Sequence, residues 1–481
     1  MPEVRYVCLS DLHLGEEDSL LTNLATASTE VDPSQPSPVL EKLIGLLRDL
    51  VDVIGPKDRR PTLILNGDVL ELALSPIHQA AMVFEKFVSL VLPKGKRLFD
   101  RIIVIPGNHD HHLWEIARET QYVNYIRSSK FPPGEKLPEK WSVTNLFVED
   151  EPLSSYFLEN VIRRYAHLKE EVIQIAYPNF GLVNQSKERV VVFHHGHFVE
   201  SLYHLMSKLK TLLIEGSHRP TRIWDIEAEN FSWIDFFWST MGGAGEVGED
   251  MERIYEKLQD PDEITKVIAN LILGLGDPEG APDWDDRIKR KILEWGLSPI
   301  VRAVFLCERL SRGAVLSPDA QKGLRWYLAV PLKNQIANEI ERRPDVGLRS
   351  FPEVTFVFGH THKPFADDLD IDHYQTWVHT YNTGGWVVDT LEPEPFHGGG
   401  LVLIDESLNT VGLKLYHEED DETPMDVQVQ TALRAAGGTT NFVRRVNAFV
   451  RGHGQQLTEF GEAVVECTRI RREHLRNRVH G

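Results

Sequence analysis

The sequence predicts an α/β fold interrupted by a large helical insertion, and three observations carry that prediction. Short apolar runs rich in β-branched residues alternate with helical stretches over residues 4–197. The strand pattern resumes at "VTFVF" (354–358) and continues through "WVHTYNTGG", "GLVLI" and "TVGLKLY". Between these halves, residues 200–350 have helical periodicity.

Taken in order, "VRYVCLS" leads into "DLHLG", "PTLILN" into "GD", "RIIVI" into "PGNHD", and "RVVVF" into "HHGH". After the first strand, residues 15–38 are polar and rich in Ser, Thr and Pro, which predicts a long loop beside the first motif. Residues 39–53, "VLEKLIGLLRDLVDV", place apolar side chains at helical spacing. In 200–350, the runs "LYHLMSKLKTLLIEG", "MERIYEKLQ", "EITKVIANLILGLG", "DRIKRKILEWGL" and "WYLAVPLKNQIANEIERR" read as helices separated by glycine and proline. Six of the ten tryptophans fall here (Trp224, Trp233, Trp238, Trp284, Trp295 and Trp326), and they are expected to form the core of an inserted subdomain. The acidic run "EEDDE" (418–422) then precedes a tail whose residues 434–480 carry nine arginines against four glutamates. That tail is expected to dock on an otherwise acidic protein. The expected organisation is a core in two parts, 1–199 and 351–417, a helical insert and candidate cap at 200–350, and an acidic linker with a basic tail at 418–481.

Composition narrows the function. With 481 residues, 42% hydrophobic and 26% charged, the chain can bury a substantial core as a soluble globular protein. A formal net charge of −20 argues against a surface built to hold nucleic-acid phosphates. Cys8, Cys307 and Cys467 form no CxxC pair, which argues against a disulfide framework and a thiolate zinc site. The first residues enter a strand without a charged region followed by an apolar stretch, and no run approaches 18 apolar residues. A cytoplasmic location is expected. Oligomeric state is not encoded in any of these features.

Each predicted strand ends in side chains able to hold a metal. Asp11 and His13 follow the first, Asp68 the second, Asn108, His109 and Asp110 the third, His195 another, and His360 and His362 the last. Strands of one sheet present their ends along a common edge, where open α/β folds place their sites. Oxygen and imidazole donors without thiolates suit Mn, Fe, Co, Ni or Zn, and two such ions a few ångströms apart make a hydrolytic clamp.

In that order, D-x-H, G-D, G-N-H-D, H and G-H-x-H resemble the calcineurin-like metallophosphoesterase superfamily. The resemblance covers about half the chain, outside the insert and tail. It implies a four-layer αββα sandwich of two mixed sheets flanked by helices. It implies a dinuclear metal-dependent phosphoesterase, acting on a phosphomonoester, phosphodiester or pyrophosphate by attack of a metal-bridging hydroxide. It places Asp11, His13 and His362 on one metal, Asn108, His195 and His360 on the other, and Asp68 on both. It also implies that His109 faces the substrate as a general acid. Glu71 of "GDVLE" stands where the family more usually has the Asp that orients this histidine.

Asp110 is expected to brace its turn, and His111 and His112 to be solvated loop or pocket-lining residues rather than ligands. His195 is favoured over His194 as ligand, while His197 is a candidate substrate contact. Asn382, Gly384 and Gly385 in "YNTGGW" suit a strand-end turn or a substrate contact. Three alternatives stand beside the phosphoesterase. One is a hydrolase resembling the UDP-diacylglucosamine pyrophosphatases, suggested by "SDLHLG" and a helical insert. The others are a nuclease, which a basic stripe beside the metals would mark, and a non-catalytic scaffold, against which the full ligand set argues.

Overall fold

The computed structural model describes residues 2–25, 29–128, 131–147, 153–186, 188–200, 202–214, 216–234, 314–341, 351–419, 426–432 and 440–480. The expected helices "MERIYEKLQ", "EITKVIANLILGLG" and "DRIKRKILEWGL" lie outside these residues. So do Trp238, Trp284, Trp295 and Cys307.

Two mixed sheets form the centre. The first contains β1 (Val4–Leu9), β2 (Thr62–Leu65), β3 (Arg101–Val104), β4 (Leu153–Ser154), β5 (Ile173–Ile175), β11 (Gly398–Asp405), β12 (Thr410–His417) and β13 (Gln428–Gln430), in the order β13-β12-β11-β1-β2-β3-β5-β4. Its β1, β2, β3 and β5 run parallel, whereas β11 lies antiparallel against β1. The second contains β6 (Asn179–Val183), β7 (Arg189–His194), β8 (Glu353–Phe358), β9 (Phe365–Leu369) and β10 (Val378–Asn382), in the order β6-β7-β8-β10-β9. Here β7, β8 and β10 are parallel, and antiparallel edge strands flank them.

Side-chain alternation along these strands builds the layers. Cys8, Ile64, Ile103, Val191, Phe193, Val357, Val402 and Ile404 point between the sheets into one shared core. Their neighbours Val7, Leu9, Leu63, Leu65, Ile102, Val104, Leu401 and Leu403 face outward against helices. Those helices include α1 (Pro38–Ile54), α2 (Ile77–Val91), α3 (His112–Ser128) and α4 (Tyr156–Ile162). Val190, Val192, Val354, Phe356 and Phe358 face the other way, under the helices of the second sheet. The result is the expected αββα sandwich.

The helix expected over 39–53 forms as α1. Ser37 Oγ accepts the Leu40 N–H at 3.0 Å, Pro38 occupies the first turn, and Val39, Leu40, Leu43, Leu46, Leu47 and Leu50 are buried. Segment 200–350 enters through α5 (Leu205–Leu213) and α6 (Ile223–Ile234) and returns through α7 (Pro318–Tyr327) and α8 (Lys333–Glu341). Tyr327, Leu332 and Ile336 share the apolar cluster of the second sheet, so the described ends of the segment form that sheet's helical layer. Pro331 offers no N–H to a regular helix, and residues Leu328–Leu332 between α7 and α8 adopt a π turn.

After the last strand come α9 (Asn441–Gly452) and α10 (Gly454–His480). The arginines of α10 do dock on the body: Arg471 Nε donates to Ser19 O at 2.9 Å, and buried Arg472 pairs with buried Glu418 at 2.8 Å. Among the described residues no helix is long and apolar enough to cross a membrane, and Cys8 and Cys467 are free and buried.

Candidate metal centre

The parallel strands β1, β2 and β3 of one sheet and β7, β8 and β10 of the other end at a common rim, and three contacts tie the two sides together. Asn66, just past β2, donates through Nδ2 to His194 O at 3.0 Å and Val357 O at 3.4 Å. The His360 N–H donates to both Asp11 carboxylate oxygens, at 2.9 and 3.0 Å. Ser10 Oγ lies 2.5 Å from Thr383 Oγ1.

Backbone geometry aims the rim side chains inward. Asp11, His13, Asp68, His360 and His362 all have positive φ, between 43° and 68°. This region is uncommon for residues other than glycine, and such strain gathers at functional sites. Backbone hydrogen bonds hold it: Asp11 N–H to Gly67 O and His13 N–H to Asp68 O, each 2.9 Å. Two of the motif glycines admit nothing larger. A Cβ on Gly67 would lie 2.3 Å from His195 Nδ1, and one on Gly359 would lie 2.1 Å from Asp11 Oδ2.

Two buried donor sets hold the expected ligands. Asp11, His13 and His362 form one, and Asp68, His195 and His360 form the other, with the donor atoms of each set within 4.8 Å of one another; a third buried group, His13, Glu71 and His109, converges as closely. In the second, His195 Nε2 lies 3.0 Å from Asp68 Oδ2, 3.2 Å from His360 Nδ1 and 2.9 Å from Asn108 Oδ1. Asp68 Oδ2 is also 3.8 Å from His13 Nε2, so one carboxylate reaches both sets. These nitrogens and oxygens converge without a thiolate, a donor set that fits divalent transition ions.

Glu71 stands behind the first set. Its carboxylate is 2.7 Å from His13 Nδ1 and 2.9 Å from His109 Nδ1, and it accepts the Ala73 and Leu74 N–H groups at 2.9 Å. The longer Glu therefore supports His13 and His109 together. Outer partners that the sequence reading missed include Asp389, 2.6 Å from His362 Nδ1, and Glu200, 3.2 Å from His360 Nε2. Such carboxylates fix the ring orientation of a metal-binding histidine.

The charges are mutually held. Burial disfavours ionised Asp68, yet His195, His109 and His13 keep its carboxyl well below the usual carboxylate range. Burial also disfavours charged His195, but Asp68, Asp11 and Asp110 raise it to about 9. Binding of a cation at His195 must therefore displace a proton. Burial and the Asp68 charge push Asp110 up to about 6, and this side chain braces its turn by accepting the Gly107 and Val69 N–H groups at 2.7 and 2.8 Å.

The remaining candidates sort by contact. His194 accepts the Gly196 N–H at 2.8 Å, and its ring makes a T-shaped contact with that of Tyr327, centroids 5.1 Å apart. His111 is fully buried, not a solvated loop residue: its Nε2 lies 3.0 Å from the Tyr177 hydroxyl. Asn382 is a turn brace, with Nδ2 donating to Gly359 O at 2.9 Å and Oδ1 accepting the Gly384 N–H at 2.8 Å. His197 is 3% exposed, and neither ring nitrogen has a hydrogen-bond partner among the described residues. Its ring is 5.7 Å from that of His195. A separate group, Glu17, Asp18 and His474, is not a comparable site, because Arg478 pairs with both acids.

Glu227 of α6, buried beside Tyr177 and Tyr203, is pushed up to about 8 by burial against an ordinary value of 4.5. Between those values the folded chain holds a proton that the unfolded chain releases, so this group's contribution to stability falls as pH rises. Unfolding midpoints measured from pH 5 to 8.5 should therefore decline more for the native chain than for Glu227→Gln, by about a few kcal/mol over the window. Parallel curves would contradict the assignment.

Residues 4–241 match the family described as Metallophos: Calcineurin-like phosphoesterase. Among solved structures, the chain is similar to the crystal structure of Phosphopantetheinyl Hydrolase (PptH) from Mycobacterium tuberculosis. The identity is 14%, with 80% of this chain and 90% of that chain covered and a TM-score of 0.23. No curated protein sequence matches.

Proposed function

The chain belongs, through residues 4–241, to the calcineurin-like metallophosphoesterase family, and we propose that it cleaves a phosphomonoester, phosphodiester or pyrophosphate bond at a pair of divalent transition cations. One observation supports this above others: Asp68, a member of one buried donor set, lies 3.8 Å from His13 of the other. In this reading Asp11, His13 and His362 hold one cation, Asn108, His195 and His360 the other, and Asp68 both. When bound, such a pair acidifies the attacking water and offsets charge on the phosphoryl group.

The chain's own residues supply the rest. Water attacks phosphorus in line with the leaving oxygen, and His109 gives that oxygen its proton as the P–O bond breaks. Glu71 acts as the positioning group, since its carboxylate is anchored by two backbone N–H groups and meets His109 Nδ1. That leaves Nε2 as the nitrogen for proton transfer. Asn108 and His197 are the proposed contacts to phosphoryl oxygens.

The test uses full-length protein stripped by chelation and then supplied separately with Mn, Fe, Co, Ni or Zn. Nitrophenyl phosphate, bis-nitrophenyl phosphate and a nucleotide pyrophosphate form the substrate panel. Hydrolysis restored by at least one metal, with two ions bound per chain, is expected. Binding of two ions without turnover of any phosphate ester would sink the proposal.

A further inference from the structure

Helix α6, near the start of the insertion, buries one acidic side chain. Helix α6 straddles both halves of the sandwich, with Ile223 and Ile226 in the apolar cluster of the second sheet and Phe231 in that of the first. Between them sits Glu227, fully buried. One carboxylate oxygen accepts the Tyr177 hydroxyl at 2.6 Å and the other accepts the Tyr203 hydroxyl.

Each tyrosine leads toward the site. The Tyr203 ring meets His197 edge-on, with centroids 4.7 Å apart. Tyr177 stacks on Trp114 and carries the hydroxyl that bonds His111, while Phe231 closes over His111 at 4.7 Å and lies under the Arg118 guanidinium at 3.5 Å. The two arms converge on matching places. His197 stands two residues beyond the donor His195, and His111 two residues beyond His109.

We propose that Glu227 is a positioning residue for this pocket: through Tyr203 it sets His197 against the phosphoryl group, and through Tyr177 it steadies the loop that carries His109. This rests on the phosphoesterase reading above. A buried imidazole whose two nitrogens have no partner among the described residues lacks hydrogen bonds that the oxygen of a bound phosphate would supply. His197 can make such a bond only if its ring is held in place, and its aromatic neighbours are His194, His195 and Tyr203. Of these, Tyr203 alone comes from the insertion, and Glu227 fixes its hydroxyl. The start of the insertion is thus a fixed wall of the site. Asn230 locks it further, accepting the Met206 N–H at 3.1 Å and donating to Ser207 Oγ at 2.9 Å, which pins α5 to α6.

A double-mutant cycle tests this in Mn-loaded, full-length protein. His197→Ala should lower kcat/KM on the order of 10–100-fold, because a misplaced phosphoryl group loses that much rate. Glu227→Ala should lose roughly 10-fold, and the double variant should fall well short of the product of the two losses, keeping only the part that runs through Tyr177, since the rest acts through His197. Glu227→Gln, which can still bond both hydroxyls, should recover most of the Glu227→Ala loss. Metal content should be unchanged throughout, while calorimetry with inorganic phosphate shows the same non-additive weakening. Losses that multiply in the double variant would overturn the proposal. If Glu227→Ala does not fold, Tyr203→Phe enters the same cycle in its place. A native protein that hydrolyses nothing would sink the phosphoesterase reading instead, and the phosphate affinities would still decide between coupled and independent residues.

Discussion

Asp68→Asn should empty both cation positions and abolish hydrolysis. The substitution keeps the side chain's shape and an oxygen for the His109 N–H, which Asp68 Oδ1 accepts at 2.8 Å. It removes the negative charge that lies 3.0 Å from His195 and 3.8 Å from His13. Losing even an outer hydrogen-bond partner of a metal ligand costs about 10–100-fold in affinity, so loss of a shared ligand should exceed about 100-fold for each cation. Metal analysis by mass spectrometry after gel filtration, paired with single-turnover assays, reads both effects. A variant that keeps one tightly bound ion would show that Asp68 serves a single position. Full activity with one ion in the native protein would end the dinuclear assignment.

His109→Ala should separate binding from chemistry. Metal content should stay near two ions per chain while kcat falls roughly 10²–10⁴-fold, the range for loss of a general acid. The loss should shrink for nitrophenyl esters, whose leaving group departs without a proton, and grow for alkyl esters. Glu71→Gln should differ in kind, since Glu71 meets both His13 and His109 and its loss should weaken metal binding as well as turnover. If His109→Ala also strips a metal, His109 belongs among the ligands and the proton donor lies elsewhere.

The rim of the site was legible in the sequence because its chemistry is local. An apolar run that stops at Asp, Asn or His states both a strand and what the strand presents, and the structure places Asp11, Asp68, Asn108, His195 and His360 at such ends. The supporting residues were not legible, because each reaches its partner across the chain. Asp389 lies 27 positions from His362, Asn66 128 from His194, and Glu200 160 from His360. No periodicity links such pairs. Glu227 and Tyr177, 50 positions apart, are joined only once α6 packs across the sandwich. The burial of His111 was not legible, because the tyrosine that receives it comes from the loop after β5. Several short strands escaped notice for a related reason. Acidic "FADDL" in β9 pairs along only one edge, and glycine interrupts "NFGLV" in β6, so neither shows the long β-branched run that marks a central strand.

The place of β1 has a consequence for synthesis of the chain. Made before every other described strand, β1 occupies the middle of its sheet, between β2 and a strand made nearly four hundred residues later, with Val7 opposite Leu403 and Cys8 opposite Val402. Until β11 emerges, the nascent protein carries an apolar strand with one open edge. Unpaired edges of this kind recruit other chains. Chains released before Gly398 should therefore collect in the insoluble fraction and refold poorly, and supplying β11 and β12 as a separate peptide should not rescue them efficiently. The first sheet closes around β1 only when β11 arrives, and chaperones that hold the growing chain have the most to shield just before that strand appears.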